Sequence, residues 1–370
     1  MENVYEKYNV KKVINASGKM TILGGSRVKS EVLDSMNSGA GNFFEVKDLL
    51  DKTGEYISGL LNVESAYIVG SASSGIAQSI ASTISKDNLY EILNIHNRDN
   101  KKREIILPKG HNVDYGTPVQ VAVEMGGGIV KEAGYANTCK VEHVESLINE
   151  NTAALLYIKS HHCVQKGIVS IRDYVAIGKK YNLPVIIDAA AEEDLTTYYN
   201  EGADCVIYSG TKALEGPTSA LVIGRKEFIK TLKNQSKGIG RVMKVGKENI
   251  LGLTKAIELY VSKTKLTLEE QRERLTDFNN NLNSMEGITS TCVQDPAGRA
   301  IIRALISFDE DKLGINAIEI AERLKSGEVR IYTRDYRANE GKIEIDIRDL
   351  SKDELEFILT RIKEIVKKQK

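Results

Sequence analysis

Paired cysteines, long apolar runs and an excess of either charge are all missing from this sequence, and each absence narrows what the protein can be. The four cysteines, at 139, 163, 205 and 292, lie far apart and form no C-x-x-C pair, which argues against a disulfide scaffold and against a thiolate zinc site. They read as reduced thiols of an intracellular protein. Lys and Arg number 51 and Asp and Glu number 51, so no imbalance of charge calls for a nucleic acid, an anionic membrane or an acidic polymer. A small-molecule ligand is the better expectation. The stretch MENVYEKYNVKKVINASG has no apolar signal-peptide core, and no later segment stays apolar for the ~18 residues of a membrane span. A soluble, cytoplasmic protein is expected.

What is present is an alternation. From about Leu49 to Gly224, apolar β-rich runs alternate with longer helical patterns, the mark of a mostly parallel sheet wrapped by helices. The runs are SAYIV, REIILP, GGGIVKEAG, AALLYI, PVIIDAA, DCVIYSG and SALVIG. Several are unbroken, as in strands buried on both faces, although AALLYI could equally be a buried helical turn. After Gly224 a charged amphipathic stretch from about Lys247 to Asn283 precedes the shorter strands RALISF and KIEIDIR and a Lys/Glu-rich terminal helix. The expected fold is α/β with a smaller C-terminal α+β domain: an arm at 1–45, a large domain at 46–245 and a small domain at 246–370 that includes the linking helix.

In open parallel sheets a ligand sits beyond the carboxyl ends of the strands, so the residues that follow each run carry the information. After SAYIV comes the hydroxyl-rich turn from Gly70 to Gly75, opening a helix. Unpaired backbone N–H groups there favour a phosphate, although a plain N-cap would look the same. No Walker lysine follows. Asp188 closes the apolar run PVIID, where a buried carboxylate needs a cation or a neighbouring amide. Lys212 follows DCVIYSG, and a right-handed crossover puts its strand end beside that of Asp188 or one strand away. An amine set there among backbone and apolar side chains could form a Schiff base; taken singly, it would be an ordinary solvated lysine. His111, after REIILPKG, offers a flat ring for stacking, and Ser209 and Thr211 add hydroxyls just ahead of the lysine.

The order phosphate turn, histidine, strand-end D-x-A and S-x-x-K followed by G-P resembles fold-type I pyridoxal-phosphate (PLP) enzymes over most of the chain. VINASG, with Asn15 to Gly18, resembles bacterial selenocysteine synthase and its relatives. GHNVDYG, KSHHCVQKG, IIDAAAEED and YSGTKALEGPTSALVIG together are similar to the D-glucosaminate-6-phosphate ammonia lyase branch. The resemblance implies that Lys212 carries the cofactor, that Asp188 pairs with its ring nitrogen, and that His111 and Ala190 cover its two faces. Ser71, Ala72, Ser73 and Ser209, with Thr211 nearby, would hold its phosphate. The synthases have a tRNA-binding region ahead of VINA; here that segment begins at Val13, which points away from a tRNA substrate.

The implied reaction removes water and then ammonia from a phosphorylated amino-sugar acid, with Lys212 as base at the α-carbon and Lys212 or His162 as acid for the leaving hydroxyl. A doubly anionic substrate calls for cations. Lys159, His161, His162 and Lys166 stand in KSHHCVQKG, Arg334, Arg337 and Arg348 in YTRDYRANEGKIEIDIR, and Arg241 in KGIGRVMKVGKE. A guanidinium fork binds both oxygens of a carboxylate; the resemblance implies a C-terminal-domain arginine in that role, and Arg348, which ends an apolar strand, is the first choice. The two adjacent histidines lack the i, i+4 spacing of a helical metal pair, so no metal is assigned. Other PLP chemistry (β-replacement, β-elimination or racemisation of another amino acid) and a non-catalytic PLP- or sugar-phosphate-binding regulator stay open. The resemblance implies a homodimer or larger homo-oligomer.

Overall fold

The structure is a computed structural model in which residues 3–97, 102–160, 162–262, 266–296 and 299–367 are described. In chain order the strands are β1 (Lys12–Ala16), β2 (Ser65–Val69), β3 (Glu104–Pro108), β4 (Ile129–Ala133), β5 (Thr152–Ile158), β6 (Val185–Asp188), β7 (Cys205–Ser209), β8 (Ala220–Gly224), β9 (Ile288–Gln294), β10 (Ile302–Phe308), β11 (Val329–Thr333) and β12 (Lys342–Asp346). The chain divides into two compact units, Arg27–Lys263 and a second made of Met1–Ser26 with Thr264–Lys370.

The larger unit is built on a seven-stranded sheet of order β2-β8-β7-β6-β5-β3-β4. Strands β3 to β7 are parallel, and β8 runs antiparallel to both β7 and β2. The mostly parallel sheet expected from the alternation is therefore present, and AALLYI is strand rather than helix. All seven residues of β5 are buried, since helices cover both faces and leave no polar side to alternate with. On one face Ile76 and Ile80 of helix Ala72–Ser85 and Val123 of helix Val119–Met125 join Ile105, Leu107 and Ile207. On the other, Tyr174 and Val175 of helix Ile171–Tyr181 join Ile106, Leu155 and Ile187. That last helix begins at Ser170, whose side chain accepts from the Asp173 N–H, and ends at Asn182 in the left-handed conformation. The connections leaving β3 and β5 thus pass to opposite faces, the arrangement at which open α/β sheets bind ligands beyond the carboxyl ends of the strands.

The smaller unit holds the antiparallel sheet β12-β10-β9 and the parallel pair β1-β11. RALISF and KIEIDIR become β10 and β12, and their apolar residues pack under helices Leu268–Asn283 and Lys352–Lys367. The stretch 1–45, read from sequence as one arm, contributes to both units. β1 pairs in register with β11 and buries Ile14 and Ala16, whereas helix Ser30–Gly41 packs on helix Lys247–Ser262, Gly39 lying against the Glu248 backbone. A five-residue strand whose partner lies at the far end of the chain leaves no periodic signal. Among the described residues, no helix is long and apolar enough to cross a membrane.

A buried ionic network ties β10 to β12. Arg303, fully buried, donates to Asp295 at 2.7 Å and to Asp346 at 3.2 Å, and both carboxylates are nearly inaccessible. Burial alone would raise the Asp295 carboxyl, but the Arg299 and Arg303 guanidinium groups hold it well below the usual range. Removing the cation leaves two buried anions short of a partner, so Arg303→Met is expected to destabilise the protein by about 3–5 kcal/mol in denaturant unfolding.

Candidate active site

The carboxyl ends of β5, β6 and β7 lie side by side, because Ile158 pairs with Asp188 and Asp188 with Ile207. Asp188, only 5% exposed, receives the Ala190 N–H on Oδ1 at 3.0 Å. Burial raises its carboxyl above the usual range, and the Lys212 charge and the Ala190 amide offset part of that rise. The carboxylate is therefore set to favour a further cation in its surroundings.

Lys212 rides on the turn between β7 and β8. Glu215, at φ +53°, closes the turn by donating its N–H to the Lys212 carbonyl, and Gly216 donates to Gly210 at 2.7 Å. Gly210 must be glycine, since a Cβ there would stand 2.4 Å from Ser219 Oγ. Leu214 is buried and anchors the loop. The Ser209 and Thr211 hydroxyls meet at 3.2 Å, and the Ser209 N–H reaches the Ala190 carbonyl at 3.2 Å. Asp188, Ala190, Ser209, Thr211 and Lys212 are thus gathered on two neighbouring strand ends.

The turn after β2 opens helix Ala72–Ser85 with a capping box: Ser71 Oγ accepts the Ser74 N–H and Ser74 Oγ accepts the Ser71 N–H. The cap occupies an acceptor lone pair of Ser71 Oγ and leaves its O–H to donate, so the donors left for an anion are that hydroxyl, the first-turn N–H groups, those of Ala72 and Ser73 included, and the Ser73 hydroxyl. The backbone of Met243 and Lys244 packs against Gly70, which puts the basic segment 237–248 beside this turn. The Arg241 residue is exposed there.

His111 follows β3 and is 1% exposed. Its Nδ1 accepts the Ile158 N–H at 3.4 Å, and its ring meets Tyr157 edge-on with centroids 4.4 Å apart. Burial, with the nearby Lys159 charge, lowers its pKa from 6.5 to about 4. An unfolded chain takes up this proton near 6.5 and the folded one near 4, so folding stability is full above that window and falls as the pH drops through it. The loss is expected to reach about 3 kcal/mol and to be absent from His111→Gln, as read by unfolding at a series of pH values.

In the loop after β5, Lys159 is half-buried and donates to Gln165 Oε1 at 3.0 Å, while His162 and Lys166 are exposed; His161 lies outside the described residues. Arg334 and Arg348 belong to the smaller unit. Asp346 grips Arg348 in a fork, with Nε at 3.0 Å and Nη2 at 2.8 Å. Arg334 donates to the Ser17 carbonyl of the VINASG segment at 3.3 Å, and Gly18, at φ +95°, passes too close to the Asp346 carboxylate to carry a side chain. Tyr115 was not singled out from the sequence. It stands four positions after His111 within GHNVDYG, and its hydroxyl oxygen is buried without a hydrogen-bond partner. A phenol four positions after a histidine already named as a site residue was the available signal.

The family "SelA: L-seryl-tRNA selenium transferase" matches residues 13–282. D-glucosaminate-6-phosphate ammonia lyase of Salmonella typhimurium (strain 14028s) is 42% identical over 98% of this chain and 98% of its own. The 5'-C-glycyluridine monooxygenase-decarboxylase of a Streptomyces species is 34% identical over 98% of this chain and 92% of its own. A solved structure of D-glucosaminate-6-phosphate ammonia-lyase superposes with a TM-score of 0.93 at 42% identity, covering 100% of this chain and 99% of that one. Solved aspartate aminotransferases at 13–15% identity share the fold alone. The architecture is that of the fold-type I PLP-dependent enzymes, and this chain belongs to the L-seryl-tRNA selenium transferase (SelA) family.

Proposed function

We propose that this protein binds PLP and is a carbon–nitrogen lyase converting D-glucosaminate 6-phosphate to 2-keto-3-deoxy-6-phosphogluconate and ammonia. The observation that carries the cofactor assignment is the buried Asp188 carboxylate on the strand next to the Lys212 turn. The substrate assignment rests on 42% identity to the lyase of that name across nearly the whole chain.

The residues present fit PLP. Asp188 would face the ring nitrogen, and its burial makes a cationic partner valuable. The first-turn N–H groups of Ala72 and Ser73, with the Ser71, Ser73, Ser209 and Thr211 hydroxyls, would hold the phosphate. Ala190 would lie against the ring, and His111 would form a fixed, neutral wall beside it. Bound PLP supplies an electron sink that stabilises negative charge at the substrate α-carbon.

The remaining work falls to the chain. Lys212 Nζ takes the proton from the α-carbon and returns one to the β-hydroxyl, which leaves as water. We assign this second transfer to Lys212 rather than His162, because His162 is exposed on its loop. The enamine released to solvent takes up water and loses ammonia, giving the keto acid. Arg348, its guanidinium plane fixed by Asp346, is assigned to the substrate carboxylate; Lys159, Lys166, Arg241 and Arg334 are the further cations for an anionic substrate. A cytoplasmic homo-oligomer acting on a small phosphorylated substrate completes the reading.

The test is a product assay with PLP-loaded protein. Keto acid and ammonia should appear in equal amounts from D-glucosaminate 6-phosphate. Turnover of a different β-substituted amino acid in its place would move the protein to another reaction of the same family, and no turnover of any would favour a non-catalytic binder.

A further inference from the structure

The inference rests on the PLP reading above and concerns a side chain that neither the capping box nor the sheet ends account for. Tyr115 sits on the loop that leaves His111. Its turn is set by Asp114, whose Oδ1 accepts the Gly116 N–H at 2.8 Å, by Gly116 at φ +111°, and by a bridge between Asp114 and Pro118. The turn sends the ring inward, where it packs against the same apolar cluster as Val113 and Ala72.

At the end of that ring the hydroxyl oxygen is buried and has no hydrogen-bond partner. It faces the Ser73 side chain, in the first turn of helix Ala72–Ser85, without the geometry of a hydrogen bond, and the Asp188 carboxylate and the Cys163 thiol share its surroundings. A buried hydroxyl without a partner is costly, and native structures rarely leave one unless a ligand or water completes it. Burial pushes its pKa up to about 12, so the group stays a neutral donor.

We propose that Tyr115 is a further cofactor-binding residue, its hydroxyl donating a hydrogen bond to the phosphate of bound PLP beside Ser73. The phosphate is favoured over the ring edge because the group is a donor in search of an acceptor. The ring would offer a single acceptor, its 3-oxygen, and its protonated nitrogen is itself a donor, whereas the phosphate would bring several acceptor oxygens to the helix turn that Tyr115 faces.

The test compares full-length wild type with Tyr115→Phe, measuring dissociation constants by equilibrium dialysis for PLP and for pyridoxal, which lacks the phosphate. The variant should bind PLP about tenfold more weakly and pyridoxal equally well. Without cofactor it should melt no lower than wild type, since an unpartnered hydroxyl has been removed. Equal PLP affinity, equal weakening toward both ligands, or a lower melting temperature without cofactor would each overturn the proposal, the last because the hydroxyl would then be bonded within the protein. Wild-type protein that binds no PLP would instead sink the reading on which this rests.

Discussion

Lys212→Ala should leave a folded protein that neither shows the visible absorbance of bound cofactor nor turns over substrate. The expected fall in kcat is about 10⁴-fold or more, because one amine serves as covalent anchor and as the base at the α-carbon. The fold should survive, for backbone hydrogen bonds and a buried leucine close the turn. Gly216 closes on Gly210, Glu215 on the Lys212 carbonyl, and Leu214 is buried beneath. Alanine fits every one of these contacts. Absorbance and product formation that persist in the variant would remove Lys212 from the mechanism.

Asp188→Asn is expected to be the second largest effect, a fall in kcat of about 10² to 10³-fold. The substitution keeps an oxygen for the Ala190 N–H, which now reaches Oδ1 at 3.0 Å, and removes only the negative charge. Burial raises the native carboxyl, so an uncharged amide should leave the cofactor-free protein as stable as wild type or more so. That combination separates an electrostatic role from a structural one. A variant with lowered melting temperature and near-normal kcat would show that the carboxylate serves the fold instead.

The larger unit was legible in the sequence because its strands are unbroken apolar runs whose last residues are chemical. PVIID ends in Asp188 and DCVIYSG leads into Lys212, and parallel pairing of β6 with β7 brings those ends together. The same rule could not decide AALLYI, since a strand buried on both faces shows no alternation; only its sheet neighbours resolved it. Three details arise only in the folded chain. The Ser71 hydroxyl caps its own helix. The His111 ring lies edge-on to Tyr157, and the Tyr115 hydroxyl is buried and unpartnered. Each depends on where a loop folds back, which residue order does not encode. β1 was missed for a related reason: its partner β11 lies more than three hundred residues away.

Borohydride reduction of the PLP-loaded wild-type protein, followed by peptide mass mapping, tests the central assignment most directly, because it fixes the cofactor to whichever amine holds it. The expected result is a single pyridoxyl-phosphate label on the peptide carrying Lys212. A label on another lysine, such as Lys159, or no label at all, would contradict it.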